Sequence, residues 1–315
     1  MNASALALEM LVMFLLMLLG YYAYRRNLVN DHSVKAVSKL VTNLCAPGMV
    51  LSAAIGREGR LDPAVFGGAL GISLAIYGLL IVSGLLICLL LRVPKEERYV
   101  YHLPTVFGNI GFIGYPVCLA VLGSDSLIYA AVCNLVYNLL IYTYGRQMLA
   151  RVAGLKADTG EKRGLWETVR PMINVGTLSS IVALVIYLTD PPVPEVLADT
   201  LSYAGNATVF LSMLVVGCSL AASPLKELIF GDRKIYLYLV LRMLALPILL
   251  VLLLKLFVQD ALLLGTMAVL VSLPAGSMPL MFCHEIGLEG RELSRVIILS
   301  TAVCVVTIPL VCLCL

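Results

Sequence analysis

Two stretches of this sequence combine helix-breaking residues with polar groups that could bind a small ligand. The first, residues 103–116, places five breakers around Asn109: Pro104, Gly108, Gly111, Gly114 and Pro116. The second, residues 272–279, places three breakers around Ser277: Pro274, Gly276 and Pro279. Proline removes a backbone donor and clashes with the preceding turn, while glycine lowers the cost of leaving helical geometry. Each stretch is therefore expected to break a helix and to expose backbone polar groups.

The elements that carry these breaks are membrane-spanning helices. Hydrophobic residues make up 61% and charged residues 13% of the 315 residues, far from the usual balance of a soluble domain. A bilayer core needs about 20 apolar residues per helix. Ten segments meet that length, at roughly 5–24, 36–55, 64–91, 100–122, 127–149, 170–189, 196–222, 234–256, 261–285 and 294–315. The net charge of +3 is too small to favour nucleic-acid binding.

The distribution of basic residues predicts the orientation of these spans. With the N-terminus outside, all but three of the 22 Lys and Arg residues fall on the cytoplasmic side. The exceptions are Arg57, Arg60 and Lys255. Both termini are therefore expected to be extracytoplasmic, in a multi-pass protein of the plasma membrane.

A polar stretch near the midpoint divides the chain into two halves of five spans. We predict a first five-helix repeat over residues 1–155, a cytoplasmic linker over 156–169 and a second repeat over 170–315. An odd number of spans makes the second half enter from the opposite side, so the repeats would be inverted, as in many secondary transporters. The predicted fold class is thus an all-α membrane protein with broken helices at spans 4 and 9.

Two breaks at matched positions favour a ligand site over a pair of ordinary proline kinks. Unwound backbone cannot face lipid, so it must be buried or line a water-filled cavity. The half-helix N-termini would present free N–H groups and positive dipole ends, which favour an anion. Asn109 can both donate and accept hydrogen bonds there. Thr105 and Ser277 are weaker candidates, because small hydroxyls often bond only to helix carbonyls. Asn134 and Asn138, one turn apart, would either line the same cavity or bond neighbouring helices.

These residues resemble the auxin efflux carrier family, which includes plant PIN-type carriers and bacterial malonate/malate-type permeases. The first break is similar to the family's Asn-x(4)-Gly-x-Pro pattern, through Asn109, Gly114 and Pro116. The second is similar to its Leu-Pro-x-Gly-x-x-Pro pattern, at residues 273–279. The resemblance covers nearly the whole chain.

The resemblance implies a fold and a mechanism. It implies ten helices in inverted repeats whose broken helices cross, a scaffold of spans 1, 2, 6 and 7 that often dimerises, and a mobile transport group of spans 3–5 and 8–10. It implies organic-anion transport by an elevator motion, with Asn109 at the substrate carboxylate and Asn134 where plant members carry an amide. Plant members of the family place a carboxylate in span three, whereas residues 64–91 of this chain contain no acid. Proton coupling through that position is therefore not expected.

Few ionisable residues lie within the spans, which argues against enzyme chemistry. His102 and Arg242 lie near the predicted inner ends, where snorkelling or anchoring is the default expectation. No mid-span pair of aspartates is present for an intramembrane protease or a sodium/proton antiporter. The nine cysteines form no CxxC pair and are read as small hydrophobes. His284-Glu285 lacks the second histidine of a zinc HExxH motif. No cofactor and no metal site is expected.

The function predicted from these features is transport of a small organic anion, a carboxylate of malonate, malate or auxin type. The expected partners are that anion, membrane lipid and a second copy of the chain in a homodimer, with H⁺ or Na⁺ as possible coupling ions. One alternative is a sodium-coupled symporter of the bile-acid carrier type, in which sodium would bind backbone carbonyls at the breaks. Another is a membrane sensor or scaffold that does not transport.

Overall fold

The computed structural model describes residues 3–56, 63–154, 173–222, 233–288 and 290–315, and the secondary structure there is helical apart from short connections and one isolated β-bridge. The helices are α1 Ala3–Arg25, α2 Asp31–Ile55, α3 Pro63–Leu90, α4 Arg98–Val106, α5 Ile110–Leu122, α6 Ser126–Val152, α7 Val175–Thr189, α8 Glu195–Ala222, α9 Arg233–Leu254, α10 Ala261–Val271, α11 Met278–Glu285 and α12 Arg291–Cys312. The predicted linker 156–169, Arg57 and Arg60 lie outside the described residues.

Seven of these helices are long and apolar enough to cross a membrane, within the part of the chain that the structure describes. They are α1, α2, α3, α6, α8, α9 and α12. Three further apolar helices, α5, α7 and α10, are shorter. The predicted spans 4 and 9 each consist of two helices, α4 with α5 and α10 with α11, because the chain leaves helical geometry at both Gly/Pro stretches. The ten-span inverted repeat stays a prediction.

Three helices contain a wide π-type turn whose position follows from a proline. The turns are Val41–Cys45, Ile110–Gly114 and Leu241–Ala245, and in each case a proline follows two residues later: Pro47, Pro116 and Pro247. A proline ring clashes with the carbonyl four residues earlier, which here lies in the middle of the wide turn. Widening that turn relieves the clash without ending the helix. A fourth wide turn, Ile141–Gly145, has no proline after it.

One group of helices packs through small residues. Helix α1 packs along α8, and α2 packs against α7 and α8. A Cβ atom on Gly217 of α8 would overlap the backbone oxygen of Met17 on α1, and a Cβ atom on Gly20 would overlap that of Leu214. Since only glycine allows backbones this close, these positions fix how α1 and α8 pack. The α2, α7 and α8 group forms one wall of the cavity described next.

Candidate functional site

The two helix breaks meet through paired backbone hydrogen bonds. Gly108 and Ala275 form an antiparallel bridge. The Asn109 N–H donates to the Pro274 carbonyl at 2.9 Å, and the Gly276 N–H donates to the Phe107 carbonyl at 2.9 Å. Each break thus supplies hydrogen-bond partners to the other, which is how buried non-helical backbone can be satisfied.

The space around this bridge explains two of the glycines. A Cβ atom on Gly276 would lie 2.9 Å from the Gly108 oxygen and 3.2 Å from the Phe107 oxygen. A Cβ atom on Gly114 would lie 2.8 Å from the Leu273 side chain. At Gly111, by contrast, a Cβ atom would meet nothing within 4 Å. Close approach of the two breaks therefore requires glycine at 276 and favours it at 114, whereas Gly111 keeps a neighbouring space open.

A third helix holds the second break in place. The Ala275 N–H donates to the Ser300 hydroxyl of α12 at 3.1 Å, and this hydroxyl donates in turn to the Ile297 carbonyl at 2.9 Å. Ser300 is 1% exposed. The break is consequently fixed by α12 as well as by the facing backbone.

Asn109 caps the second half of the first broken span. Its side-chain oxygen accepts from the Phe112 N–H at 3.2 Å, and its backbone carbonyl accepts from the Gly114 N–H at 2.9 Å. Its side-chain NH₂ group has no hydrogen-bond partner among the described residues. Asn109 is half-buried and lines a cavity, so this NH₂ group is available to donate to a ligand.

Unpaired backbone donors at both half-helix starts accompany this amide. The N–H groups of Gly111, Ser277 and Met278 have no hydrogen-bond partner among the described residues, and all three residues line the same cavity. The first N–H groups of a helix have no partner within it, and they carry the positive end of its dipole. Helices α5 and α11 thus direct donors to one cavity from two sides.

The cavity has a volume of about 660 Å³. Its polar lining consists mainly of amides and hydroxyls, from Ser38, Thr42, Asn43, Asn109, Asn134, Asn138, Asn174, Ser179, Ser219, Ser277 and Thr301. Its aromatic lining comprises Phe112, Tyr115, Tyr137 and Tyr142. The described lining residues include no Asp, Glu, Arg or His and a single Lys, which is Lys39. The side-chain charge around this space is therefore positive.

The structure brings most of the predicted site residues together. Gly108, Asn109, Gly111, Asn134, Asn138, Gly276 and Ser277 line the cavity. Gly114, Pro116, Pro274 and Pro279 are buried beside it and do not line it. Thr105 also lies outside the lining, since its hydroxyl donates to the Tyr101 carbonyl at 2.7 Å and lies 3.1 Å from the Tyr238 hydroxyl.

For Asn134 and Asn138 the structure supports both open readings. Both line the cavity, and both are 8% exposed. The Asn134 NH₂ group also lies 3.4 Å from the Ser180 hydroxyl of α7, and the Asn138 NH₂ group donates to the Asn134 carbonyl at 2.9 Å. They link α6 to α7 and add polar groups to the cavity wall.

The expectation for Arg242 and His102 was wrong. Arg242 is 2% exposed, and its guanidinium donates to three carbonyls at the breaks instead of reaching a membrane surface. His102 is fully buried, with its Nε2 atom 2.6 Å from the Tyr144 hydroxyl and its Nδ1 atom against Gly84. Nearness to a helix end did not predict snorkelling, because both side chains face other helices. Asn174, which caps α7 and lines the cavity, was missed; an Asn before an apolar run is its signal in the sequence.

Metal chemistry has no site among the described residues. No cluster of three or more His, Cys, Asp or Glu residues there could hold an ion. The nine cysteines are free, and all but Cys314 are buried.

Comparison with known proteins supports a role in membrane transport. Residues 6–312 match a family model described as membrane transport protein. The chain is also similar to a protein of Methanocaldococcus jannaschii that carries the name uncharacterized transporter. The two are 24% identical over 226 residues, which cover 70% of each chain.

Proposed function

Because this chain belongs to the membrane transport protein family, which is the auxin efflux carrier family that its paired breaks resemble, we propose that it carries a small organic anion across the membrane by alternating access. The chain is a multi-pass membrane protein of a transporter family. The substrate class proposed is a carboxylate of malonate, malate or auxin type, moved without chemical conversion. One observation carries the proposal: two half-helix N-termini and the Asn109 amide present unpaired donors to a single cavity.

The donors of this cavity suit a carboxylate. A carboxylate oxygen accepts several hydrogen bonds at once, and here it would find the Asn109 NH₂ group together with the Gly111, Ser277 and Met278 N–H groups. No acid occurs among the described lining residues, so nothing there repels the anion. Lys39 is exposed and would attract the anion as it enters.

The size and aromatic walls of the cavity suit a small molecule. A volume of about 660 Å³ lies within the range of small-molecule pockets. Phe112, Tyr137 and Tyr142 would pack against an apolar or planar body, whereas the amides of Asn134 and Asn138 could bond to a second polar group. A dicarboxylate and an aromatic acid both fit this description.

The position of the cavity supports an elevator motion. One wall comes from α2, α7 and α8, in the predicted scaffold, and the other comes from α5, α6, α11 and α12, in the predicted transport group. A site between two such groups changes its access when one slides along the other. The exposed lining residues Lys39 and Ser219 lie in the halves of α2 and α8 that are predicted to face the cytoplasm, so we assign the described conformation to the inward-open state. The inverted repeats, the homodimer, the plasma-membrane location and the external termini remain part of the proposal.

Flux measurements in proteoliposomes test this function. The purified protein is reconstituted, and uptake of radiolabelled malonate, malate and indole-3-acetate is compared with that of a neutral control such as the amide of each acid. We expect saturable uptake of at least one acid and none of its amide. Binding of an acid without any flux would favour the sensor alternative, and neither binding nor flux across a broad carboxylate panel would overturn the proposal.

A further inference from the structure

The guanidinium of Arg242 binds both broken spans at the carboxyl-terminal ends of their first half-helices, across the breaks from the cavity donors. Its Nε atom donates to the Pro104 carbonyl at 3.3 Å, near the end of α4. Its Nη1 atom donates to the Val271 carbonyl at 2.9 Å, and its Nη2 atom donates to the Leu273 carbonyl at 3.3 Å, at the end of α10. One side chain from α9 thus binds the carboxyl-terminal ends of both first half-helices.

This cation is buried without an acidic partner. Arg242 is 2% exposed, and no Asp or Glu side chain pairs with it in the part of the chain that the structure describes. A small void beside it is lined by apolar residues, Tyr77 and Cys133. Removing a charge from water is strongly unfavourable unless other groups compensate, so the helix ends must supply the compensation. The carbonyls at a helix end carry about half a negative charge.

The same helix ends explain why a fixed cation is useful here. Two helix C-termini together place about one negative charge at the crossing, directly behind a cavity proposed to hold an anion. The Arg242 charge cancels that contribution, which leaves the positive ends of α5 and α11 to act on the ligand. The first break borders both spaces, because Gly108 and Ile110 line the main cavity and also the void beside Arg242.

Backbone carbonyls at such breaks are also the ligands that sodium takes in coupled carriers. Here three of those carbonyls are already bound by Arg242. We propose that Arg242 is a built-in cation that replaces a bound coupling cation, so that the site takes its anion without sodium. Arg242 acts as a positioning residue, since it works through the helix ends and does not line the main cavity. This inference rests on the proposed function and specifies that anion transport is not coupled to sodium.

The first test needs no variant. Binding of malonate, malate and indole-3-acetate to the purified protein is measured by thermal shift and calorimetry, in sodium chloride and in N-methylglucamine chloride. We expect the same dissociation constant in both salts. If an acid binds only in sodium, the inference is wrong while the proposed function stands. If no carboxylate in a broad panel binds in either salt, the proposed function fails and the inference fails with it.

The second test separates the charge of Arg242 from its packing. Arg242→Lys keeps the charge, Arg242→Met removes it at similar length, and Arg242→Ala leaves a void that guanidinium can enter. We expect Arg242→Met to bind the acid about tenfold or more weakly and Arg242→Lys to stay closer to wild type. Millimolar guanidinium should restore binding to Arg242→Ala, whereas urea, which is neutral and of similar shape, should not. Arg146→Met serves as the matched control, because Arg146 is partly exposed, lies 3.9 Å from the Glu285 carboxylate and does not line the cavity.

Rescue distinguishes the proposal from simple helix capping. A purely structural role would lower the unfolding temperature of every neutral variant, and guanidinium would not then act selectively on anion affinity. Wild-type affinity in a folded Arg242→Met variant would overturn the proposal. So would equal rescue of Arg242→Ala by urea and by guanidinium.

Discussion

Replacing Asn109 by Asp separates its structural role from its binding role. Asp retains an oxygen that accepts from the Phe112 N–H, as the Asn side chain does at 3.2 Å. Asn and Asp are about equally good N-cap residues, and a negative charge at a helix N-terminus adds about 0.3–1 kcal/mol. Ala lacks the cap and should cost about 1 kcal/mol of stability. We therefore expect Asn109→Asp to be as stable as wild type and Asn109→Ala to be less stable.

For anion affinity, we expect the two variants in the opposite order, with Asn109→Ala binding more tightly than Asn109→Asp. Ala removes one hydrogen bond to a charged group, worth about 1.5–3 kcal/mol, or roughly a 10- to 100-fold loss of affinity. Asp also removes the donor and places a second negative charge next to the ligand, which costs about 4 kcal/mol at 4 Å and an effective dielectric constant of about 20. Binding to Asn109→Asp should thus fall by about 1000-fold or more.

Two measurements on the same purified samples check this pair of orders. Thermal unfolding without ligand reports stability, and calorimetric titration with the transported carboxylate reports affinity. Near-wild-type affinity in Asn109→Asp would refute the placement of the ligand at this amide. Affinity losses that merely follow the stability losses would refute the separation of roles.

Three further predictions concern the packing that supports the site. Gly276→Ala should abolish transport, because its Cβ atom would lie 2.9 Å from a backbone oxygen of the facing break. The control Gly111→Ala should stay folded, because its Cβ atom would meet nothing within 4 Å. Flux assays measure transport, and the unfolding temperature measures the folding of both variants. Gly217→Ala should lower the yield of folded protein in detergent by fluorescence size-exclusion chromatography, because it forces α1 from α8, and Gly78→Ala, with open space around it, should not. Asp260→Ala should destabilise the start of α10 by about 1 kcal/mol, because Asp260 accepts two backbone N–H groups there. Burial raises the pKa of Asp260, but the two backbone N–H groups and a tyrosine hydroxyl lower it more, so the net pKa is lowered. The carboxylate therefore contributes its full stabilisation above the ordinary aspartate pKa and loses it as the pH falls through the lowered value. Acid unfolding scans of the wild type and of Asp260→Ala would show this difference.

Local residue chemistry made the helix breaks predictable, and with them the principal amide. Proline and glycine act on their own backbone and on the preceding turn, so Gly108 and Pro274 lie where the chain leaves helical geometry, whereas α4 continues through Pro104 to Val106. The irregular second span follows from the same effect, because the wide turn at Val41–Cys45 precedes Pro47. The membrane class likewise follows from composition, since 61% hydrophobic residues require a lipid environment.

The position of Arg242 could not be predicted in this way. It lies in an apolar helix with no strong amphipathic pattern, so the sequence does not show which face meets other helices. The short distance to the helix end suggested that the side chain reaches the membrane surface. Instead, α9 packs against α4 and α10, and the guanidinium donates to three backbone carbonyls at their ends. The backbone pairing of Gly108 with Ala275 is similarly non-local, because it joins residues far apart in the chain.

The amino-acid sequence alone determined that this protein crosses a membrane, where its helices break and which family it resembles, because composition and backbone preferences act locally. Only the tertiary structure decided that the breaks bind each other, that their free donors face one cavity, and that Arg242 lies behind them. These depend on which helix faces meet, and in a chain that is apolar on nearly every face, only packing decides that.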